Sequence, residues 1–235
     1  MGADIRRWLV GALVAALALC GCAELDTGAV APAPGSPTHV ELERLLAAVR
    51  VIPERPHPGG YDRGCKAGQG CVFGPTWTDD NDGPGGHDGC DTRNNVLSKQ
   101  LIEVDYRPHT GECVVVSGVL HDPYTSRRIT FAKAEANAVQ VDHVYPLAAA
   151  WDMGAAFWPI ARRVRFANDL DVSLLATDGP TNQAKGDKTP SEWLPPSRAS
   201  HCFYAGRYLT AAARYDLPLT AADYAVLQDI ARGCR

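Results

Sequence analysis

Two short groups of polar residues carry side chains that together could hydrolyse a phosphodiester. The first is Asp142-His143, and the second is Asn182 with Lys185 three positions later. A neutral imidazole can take the proton of an attacking water. Carboxylate and amide oxygens suit Mg²⁺ or Mn²⁺, which neutralise phosphate charge. Lys185 lies one helical turn after Asn182 and can reach a phosphate oxygen from the same helix face. These residue types therefore indicate metal-assisted phosphodiester hydrolysis.

Two strands and a short helix are needed to bring these groups together. Residues 139–144 alternate as a strand does, 172–177 form a second short apolar run, and 180–187 fit a short helix. Neighbouring residues on a regular strand point to opposite faces, so Asp142 and His143 can share one site only if the backbone turns there. Pro146 favours such a turn. The sequence therefore predicts a strand–strand–helix metal finger.

The rest of the chain predicts more helix than strand. Residues 53–90 are rich in Gly and Pro and predict a loop. Paired short strands are expected at 113–120 and 128–131. The predicted helices are a segment from Thr38 that stops before Pro53, residues 92–105 with Thr92 as N-cap, residues 147–168 in two pieces broken at Gly154 and Pro159, residues 198–214, and residues 220–232 with Thr220 as N-cap.

The N-terminus predicts export. Arg6 and Arg7 precede an apolar run from Trp8 to Leu19 that is too short to span a bilayer comfortably. Residues 1–21 resemble a bacterial lipoprotein signal with Cys22 as the lipidated residue, and an ordinary secretory signal cut nearby is the alternative. Residues 22–38 predict a flexible tether, and 39–235 predict one folded domain. Either signal places the protein outside the cytoplasm, as a membrane-anchored lipoprotein or a secreted chain.

The net charge and the cysteines indicate further what kind of protein this is. The formal net charge is −4, and removing Asp4, Arg6 and Arg7 with residues 1–21 makes it −5. This balance argues against a protein that binds nucleic acid tightly through many phosphate contacts, but it does not argue against an enzyme that meets phosphate through a metal. The six remaining cysteines allow 15 pairings. We predict the pairs Cys65–Cys71, Cys90–Cys113 and Cys202–Cys234, which would respectively close a local loop, tie a helix to the following strand, and clamp the two C-terminal helices.

Beyond these features, the chain resembles a known nuclease family over about residues 61–234. The family is that of exported actinobacterial HNH nucleases related to the C-terminal part of the GmrSD restriction enzymes. The pieces that carry the resemblance are Gly89-Cys90-Asp91-Thr92-Arg93-Asn94, Asp122-Pro123-Tyr124, Val141-Asp142-His143-Val144, Ala150-Trp151, Phe166-Ala167-Asn168-Asp169-Leu170, Asn182-Gln183-Ala184-Lys185-Gly186-Asp187 and Trp193-Leu194-Pro195-Pro196.

The resemblance implies roles for particular residues. His143 is the general base, Asp142 and Asn182 are metal ligands, and Lys185 contacts phosphate. Ser173 stands near the usual place of the middle Asn, so Asn168 is the nearest candidate for that ligand. Arg93 is expected as a phosphate contact from the upstream helix.

The implied fold class is α+β, with a ββα metal finger embedded in a mostly helical, disulfide-braced single domain. The expected cofactor is Mg²⁺, with Mn²⁺ as the alternative. The expected partners are DNA, bound without sequence preference, and the membrane through Cys22, and the expected oligomeric state is a monomer. Two other functions stay open at this point: a ribonuclease with the same site, and a non-catalytic surface-anchored binding protein, which the acidic charge favours.

Overall fold

Residues 31–235 are described by the computed structural model, and the predicted signal segment 1–21 and Cys22 lie outside them. Helices and strands are mixed along this part of the chain. The helices are His39–Ala48 (α1), Thr92–Gln100 (α2), Leu147–Asp152 (α3), Ile160–Ala167 (α4), Gly179–Lys185 (α5), His201–Tyr215 (α6) and Ala221–Gly233 (α7); the strands are Val51–Ile52 (β1), Ile102–Tyr106 (β2), Val115–His121 (β3), Arg128–Ala132 (β4), Val139–His143 (β5), Leu174–Asp178 (β6) and Leu219–Thr220 (β7).

The first and last helices pack together around the larger of two apolar cores. Leu42 and Leu46 of α1 meet buried residues of α6 and α7, and β1 pairs in parallel with β7. Thr38 and Glu41 form a reciprocal capping box that fixes the start of α1. The disulfide Cys202–Cys234 joins the beginning of α6 to the end of α7. These contacts make the two ends of the described chain one packed layer.

The segment just before α1 lies against α6. The Ala33 amide donates to the Ala199 carbonyl at 2.8 Å. A Cβ at Gly206 would lie 2.6 Å from Pro37, so α6 accepts this close approach only because residue 206 is glycine. The predicted tether 22–38 therefore includes residues that contact the domain, and its residues 22–30 lie outside the described part of the chain.

The smaller core lies under a three-stranded antiparallel sheet in the order β2–β3–β4. Val96 and Leu97 of α2 share this core with Leu120 and Phe131 of the sheet and with buried residues of β5 and β6. The disulfide Cys90–Cys113 ties the chain before α2 to the chain before β3. This core connects the sheet to the β5–β6 pair that carries Asp142 and His143.

Most element predictions are confirmed, and three needed correction. The mixture of helix and strand is present, residues 53–90 hold no helix or strand, and all three predicted disulfides occur. The helix predicted over 92–105 ends at Gln100, because the chain turns extended at Leu101 and 102–106 pair with β3 as β2. Its N-cap is Asp91, whose carboxylate accepts from the Asn94 amide at 2.8 Å, and Thr92 is the first helical residue.

The third correction concerns the second strand of the finger. It begins at Leu174, two residues later than predicted. The Asp169 carboxylate accepts from the amides of Asp171 and Val172, which holds 169–173 in a turn instead of a strand. None of the helices in residues 31–235 is long and apolar enough to cross a membrane.

Candidate active site

The site is built on β5, β6 and α5, which follow the predicted strand–strand–helix order. Strand β5 pairs antiparallel with β6, with Asp142 opposite Leu175. Helix α5 starts directly after β6, and the carboxylate of its N-cap Asp178 accepts from the Thr181 amide at 2.9 Å. A Cβ at Gly179 would lie 1.9 Å from the Asn137 carbonyl oxygen, so α5 can begin this close to β5 only with glycine there.

A cavity of about 600 Å³ opens where β5 and α5 meet. It brings together Asp142 and His143 from β5 with Asn182 from α5, as the sequence predicted. Its remaining walls come from the loop before α2, from α2 itself, and from the chain after β5. The other lining residues are Tyr61, Arg63, Trp77, Arg93, Gln140, Val141, Pro146, Leu147, Ala148, Gln183, Gly186 and Asp187.

The imidazole of His143 is held in one orientation. Its Nε2 lies 2.9 Å from the Ala167 carbonyl oxygen, and its ring stacks on Trp77 at a centroid distance of 5.6 Å and an angle of 7°. A carbonyl only accepts, so Nε2 carries the hydrogen and Nδ1 is the proton acceptor of the neutral ring. Burial lowers the pKa of His143 to about 4, although the Ala167 carbonyl and Asp142 oppose the shift. The ring is therefore neutral at physiological pH.

The Asp142 carboxylate is buried and accepts a hydrogen bond on each oxygen. Lys185 Nζ donates to Oδ1 at 2.9 Å, and the Tyr124 hydroxyl donates to Oδ2 at 2.6 Å. Lys185 also donates to the His143 carbonyl at 2.9 Å, and its side chain is fully buried. Burial lowers the pKa of Lys185, and the nearby Asp142 opposes that shift. The ammonium thus fixes both the carboxylate and the backbone of the Asp142-His143 pair.

Lys185 therefore has different partners from those expected. The sequence predicted that its ammonium contacts a phosphate, but in the structure the group donates inward and reaches no solvent. The phosphate contact stays a prediction, and the observed role is to position Asp142 and His143.

The donor atoms of the cavity fit a hard divalent cation. The Asn182 Nδ2 donates to Gln140 Oε1 at 2.9 Å, which leaves the amide oxygen without a partner among residues 31–235. Each carboxylate oxygen of Asp142 retains a lone pair after its one hydrogen bond. No group of three or more His, Cys, Asp or Glu side chains in the described chain could hold a metal. Mg²⁺ commonly takes only one or two protein oxygens, with water and substrate phosphate completing its shell.

Two further predicted residues stand apart from this donor pair. The guanidinium of Arg93 lines the cavity but donates to the Ala136 and Val139 carbonyls at 3.3 and 3.0 Å. Asn168 is buried, donates to the Val164 carbonyl at 2.9 Å, and lines a small hollow on the Trp77 side of His143 instead of the main cavity. It caps α4 next to Ala167. The structure thus brings Asn168 to His143 but not to Asp142 and Asn182.

Sequence reasoning missed several side chains at the site. Trp77, Tyr61 and Arg63 lie in a loop without periodicity, so nothing in the pattern placed them at the cavity. Tyr124 stood in the Asp122-Pro123-Tyr124 motif, but the motif alone gave its hydroxyl no partner. The burial of this hydroxyl and its bond to Asp142 raise the pKa of Tyr124 well above the usual value, so it remains a donor.

Comparison with known proteins assigns the family. The model of the GmrSD restriction endonuclease C-terminal domain matches residues 91–230, more than half of the chain. The chain belongs to this family. The match to the GmrSD C-terminal domain includes every predicted catalytic and metal-binding residue, and the wall residues Tyr61, Arg63 and Trp77 lie before it.

A relative extends the likeness over most of the chain. It is described as an uncharacterized secreted protein from Arthroderma benhamiae, and it is 33% identical over 214 residues, which cover 89% of this chain and 93% of the relative. No solved structure matches the chain. Membership of the GmrSD C-terminal-domain family is thus confirmed, and the actinobacterial and lipoprotein features stay predictions.

Proposed function

We propose that this protein is an HNH endonuclease that hydrolyses DNA phosphodiester bonds outside the cytoplasm with a divalent metal, Mg²⁺ or alternatively Mn²⁺. One observation carries the proposal. An oriented neutral imidazole and two oxygen donors share one cavity on a strand–strand–helix unit, in a chain whose family is the C-terminal domain of restriction endonucleases.

His143 is the proposed general base. With Nε2–H donated to the Ala167 carbonyl, the ring accepts the proton of water at Nδ1. The Ala167 carbonyl and the Asp142 carboxylate then stabilise the imidazolium that forms, since both favour the charged ring. Trp77 covers one ring face and limits its rotation. A general base of this kind contributes about 10²–10⁴-fold in rate.

Asp142 and Asn182 are the proposed metal ligands. A divalent cation held there would neutralise phosphate charge and stabilise the leaving oxygen. The protein's own part is to keep the two oxygen donors in place. Lys185 and Tyr124 fix the carboxylate, and Gln140 fixes the Asn182 amide with its oxygen free. Asn168 orders the chain that presents the Ala167 carbonyl to His143, which we propose in place of direct metal ligation.

Export is proposed from two independent observations. Three disulfides brace the domain, and such bonds persist in oxidising compartments. The relative from Arthroderma benhamiae is described as secreted. Lipidation at Cys22 and a monomeric state complete the proposal, and mass spectrometry of the membrane fraction and light scattering test them.

The deciding experiment is a digest of plasmid DNA and of RNA by the mature protein with Mg²⁺, Mn²⁺ or EDTA. We expect DNA cleavage that requires metal and that His143→Ala lowers by about 10²–10⁴-fold. His201→Ala is a matched control, because His201 bonds the Pro195 carbonyl at 2.9 Å and does not line the cavity. Equal cleavage by wild type and His143→Ala would exclude the assignment, and cleavage of RNA alone would change the substrate.

One observation favours the competing function, a non-catalytic anchored binding protein. Both oxygens of Asp142 already accept hydrogen bonds from protein groups, as they would in a purely structural network. The same digest separates the two functions, since a binding protein would cut neither nucleic acid under any metal.

A further inference from the structure

The loop before α2 builds one wall of the cavity. Tyr61, Arg63 and Trp77 all line it, although the family match begins only at residue 91. Trp77 lies flat against the His143 ring, so this wall is in direct contact with the proposed base. The relative's match, which covers 89% of the chain, is too long to leave these residues out. The loop is thus part of the shared protein.

Arg63 sits at the base of a closed and internally bonded turn. The disulfide Cys65–Cys71 closes the turn directly after it. The carboxylate of Asp62 accepts from the Gly64 amide at 3.2 Å and from the Gly70 amide at 2.7 Å. The Val72 amide donates back to the Asp62 carbonyl at 3.1 Å. The backbone that carries Arg63 is therefore held from both sides, while its side chain is exposed.

The cations near the cavity differ in what they already bind. Lys185 is buried and bonded to Asp142, and Arg93 donates to two backbone carbonyls. None of the ion pairs within 4.0 Å in residues 31–235 includes Arg63. It lines both the main cavity and the small hollow that also borders His143. Its charge also lowers the pKa of His143, which reflects the same proximity.

We propose that Arg63 binds a phosphate of the nucleic-acid substrate beside the reacting phosphodiester, and that the Cys65–Cys71 turn holds it there. The inference rests on the proposed nuclease function and names a substrate contact from an exposed cation, whereas Lys185 is buried in this structure. A guanidinium can meet two phosphate oxygens in one plane, which a lysine cannot do. An exposed Arg with no acidic partner gives up no ion pair when it binds.

The test compares Arg63→Ala with Lys66→Ala. Lys66 is an exposed cation of the same turn, but it does not line the cavity. Binding of a labelled oligonucleotide is measured in the His143→Ala background, and kcat and KM are measured in the active protein. We expect Arg63→Ala to weaken binding by about 10–100-fold, as for a lost charged hydrogen bond. The salt slope should fall by about 0.7–0.9, KM should rise, and Lys66→Ala should match wild type.

Two further variants test the geometry. Arg63→Lys should recover only part of the affinity, because it keeps the charge without the planar fork. Cys65→Ser/Cys71→Ser should weaken DNA binding when Arg63 is present. In the Arg63→Ala variant, the same two changes should not weaken binding further. If wild type cleaves DNA while Arg63→Ala binds as well as Lys66→Ala, the inference is wrong and the proposed function stands. If wild type neither binds nor cleaves, both are wrong.

Discussion

Replacing Lys185 by Met separates two roles for this residue. The sequence predicted a phosphate contact, for which substitution would lower substrate affinity and leave stability nearly unchanged. The structure instead shows a fully buried ammonium bonded to Asp142 and to the His143 carbonyl. Methionine fills much of the same volume, so the change removes the charge and its two hydrogen bonds without opening a large cavity.

The expected loss of stability is large. Removing one partner leaves the Asp142 carboxylate buried with only the Tyr124 hydroxyl on it. Breaking a buried ion pair in this way typically costs about 3–5 kcal/mol. For a chain of this size that corresponds to a fall in Tm of roughly 6–20 °C. The matched control is Lys188→Met, whose ammonium is exposed and donates only to the Ala184 carbonyl; it should stay within about 0.5 kcal/mol of wild type.

The assay is reversible urea unfolding of the EDTA-treated protein with its disulfides intact, followed by far-UV circular dichroism. A double variant, Asp142→Asn/Lys185→Met, removes both charges and should cost less than the sum of the single changes, because neither charge is left unpaired. If Lys185→Met unfolds like Lys188→Met but binds DNA more weakly, the ammonium contacts phosphate and our account of the buried pair is wrong.

Three other measurements test the site and the domain. His143 should titrate near pH 4 by NMR in the metal-free protein; because the unfolded ring binds a proton near pH 6.5, stability should fall as the pH drops from 6.5 to 4, and a titration near 6.5 would contradict this. Cys202→Ala/Cys234→Ala removes the clamp on α6 and α7 and should cost about 3–4 kcal/mol in urea unfolding; an unchanged midpoint would show that packing alone holds the helices. The slope of log affinity for DNA against log salt should be about −2 to −4, since few cations reach the cavity; a slope near −8 would mean an additional basic surface.

The elements of the finger could be predicted because their local signals agree with their final environment. The alternation of 139–144 gave strand β5, and Pro146 gave the turn after the site. The N-cap Asp178 and Gly179, which set the start of α5, were not recognised in the sequence. The helix over 92–105 was too long because Leu101 and Ile102 also fit a helical apolar face. Residues 102–106 form a strand because they pair with β3. A local sequence pattern does not show such long-range contacts.

The site was predicted in its residue types more than in its contacts. Asp142, His143 and Asn182 meet in one cavity as expected, because strand and helix geometry bring them together. The inward direction of Lys185 is set by its bonds to Asp142 and to the His143 carbonyl, which lie more than 40 positions away in the chain, and Asp142 is itself buried. Burial is a tertiary property, so spacing alone could not distinguish an ammonium that faces phosphate from one that faces the core.

An acidic net charge is compatible with a phosphate-binding function, because the cations that could bind phosphate are the exposed ones near the cavity. Within the motif that suggested nuclease chemistry, the ammonium of Lys185 is bonded to Asp142 and to the His143 carbonyl and holds both in place. If the proposed function is correct, attraction for the substrate would come from groups outside the β5–β6–α5 unit. Arg63 is carried by a turn that a disulfide closes, and Arg93 is carried by α2, whose approach a second disulfide fixes. One disulfide closes the turn next to Arg63, and the other joins the chain before α2 to the chain before β3, so both lie close to residues that line the cavity.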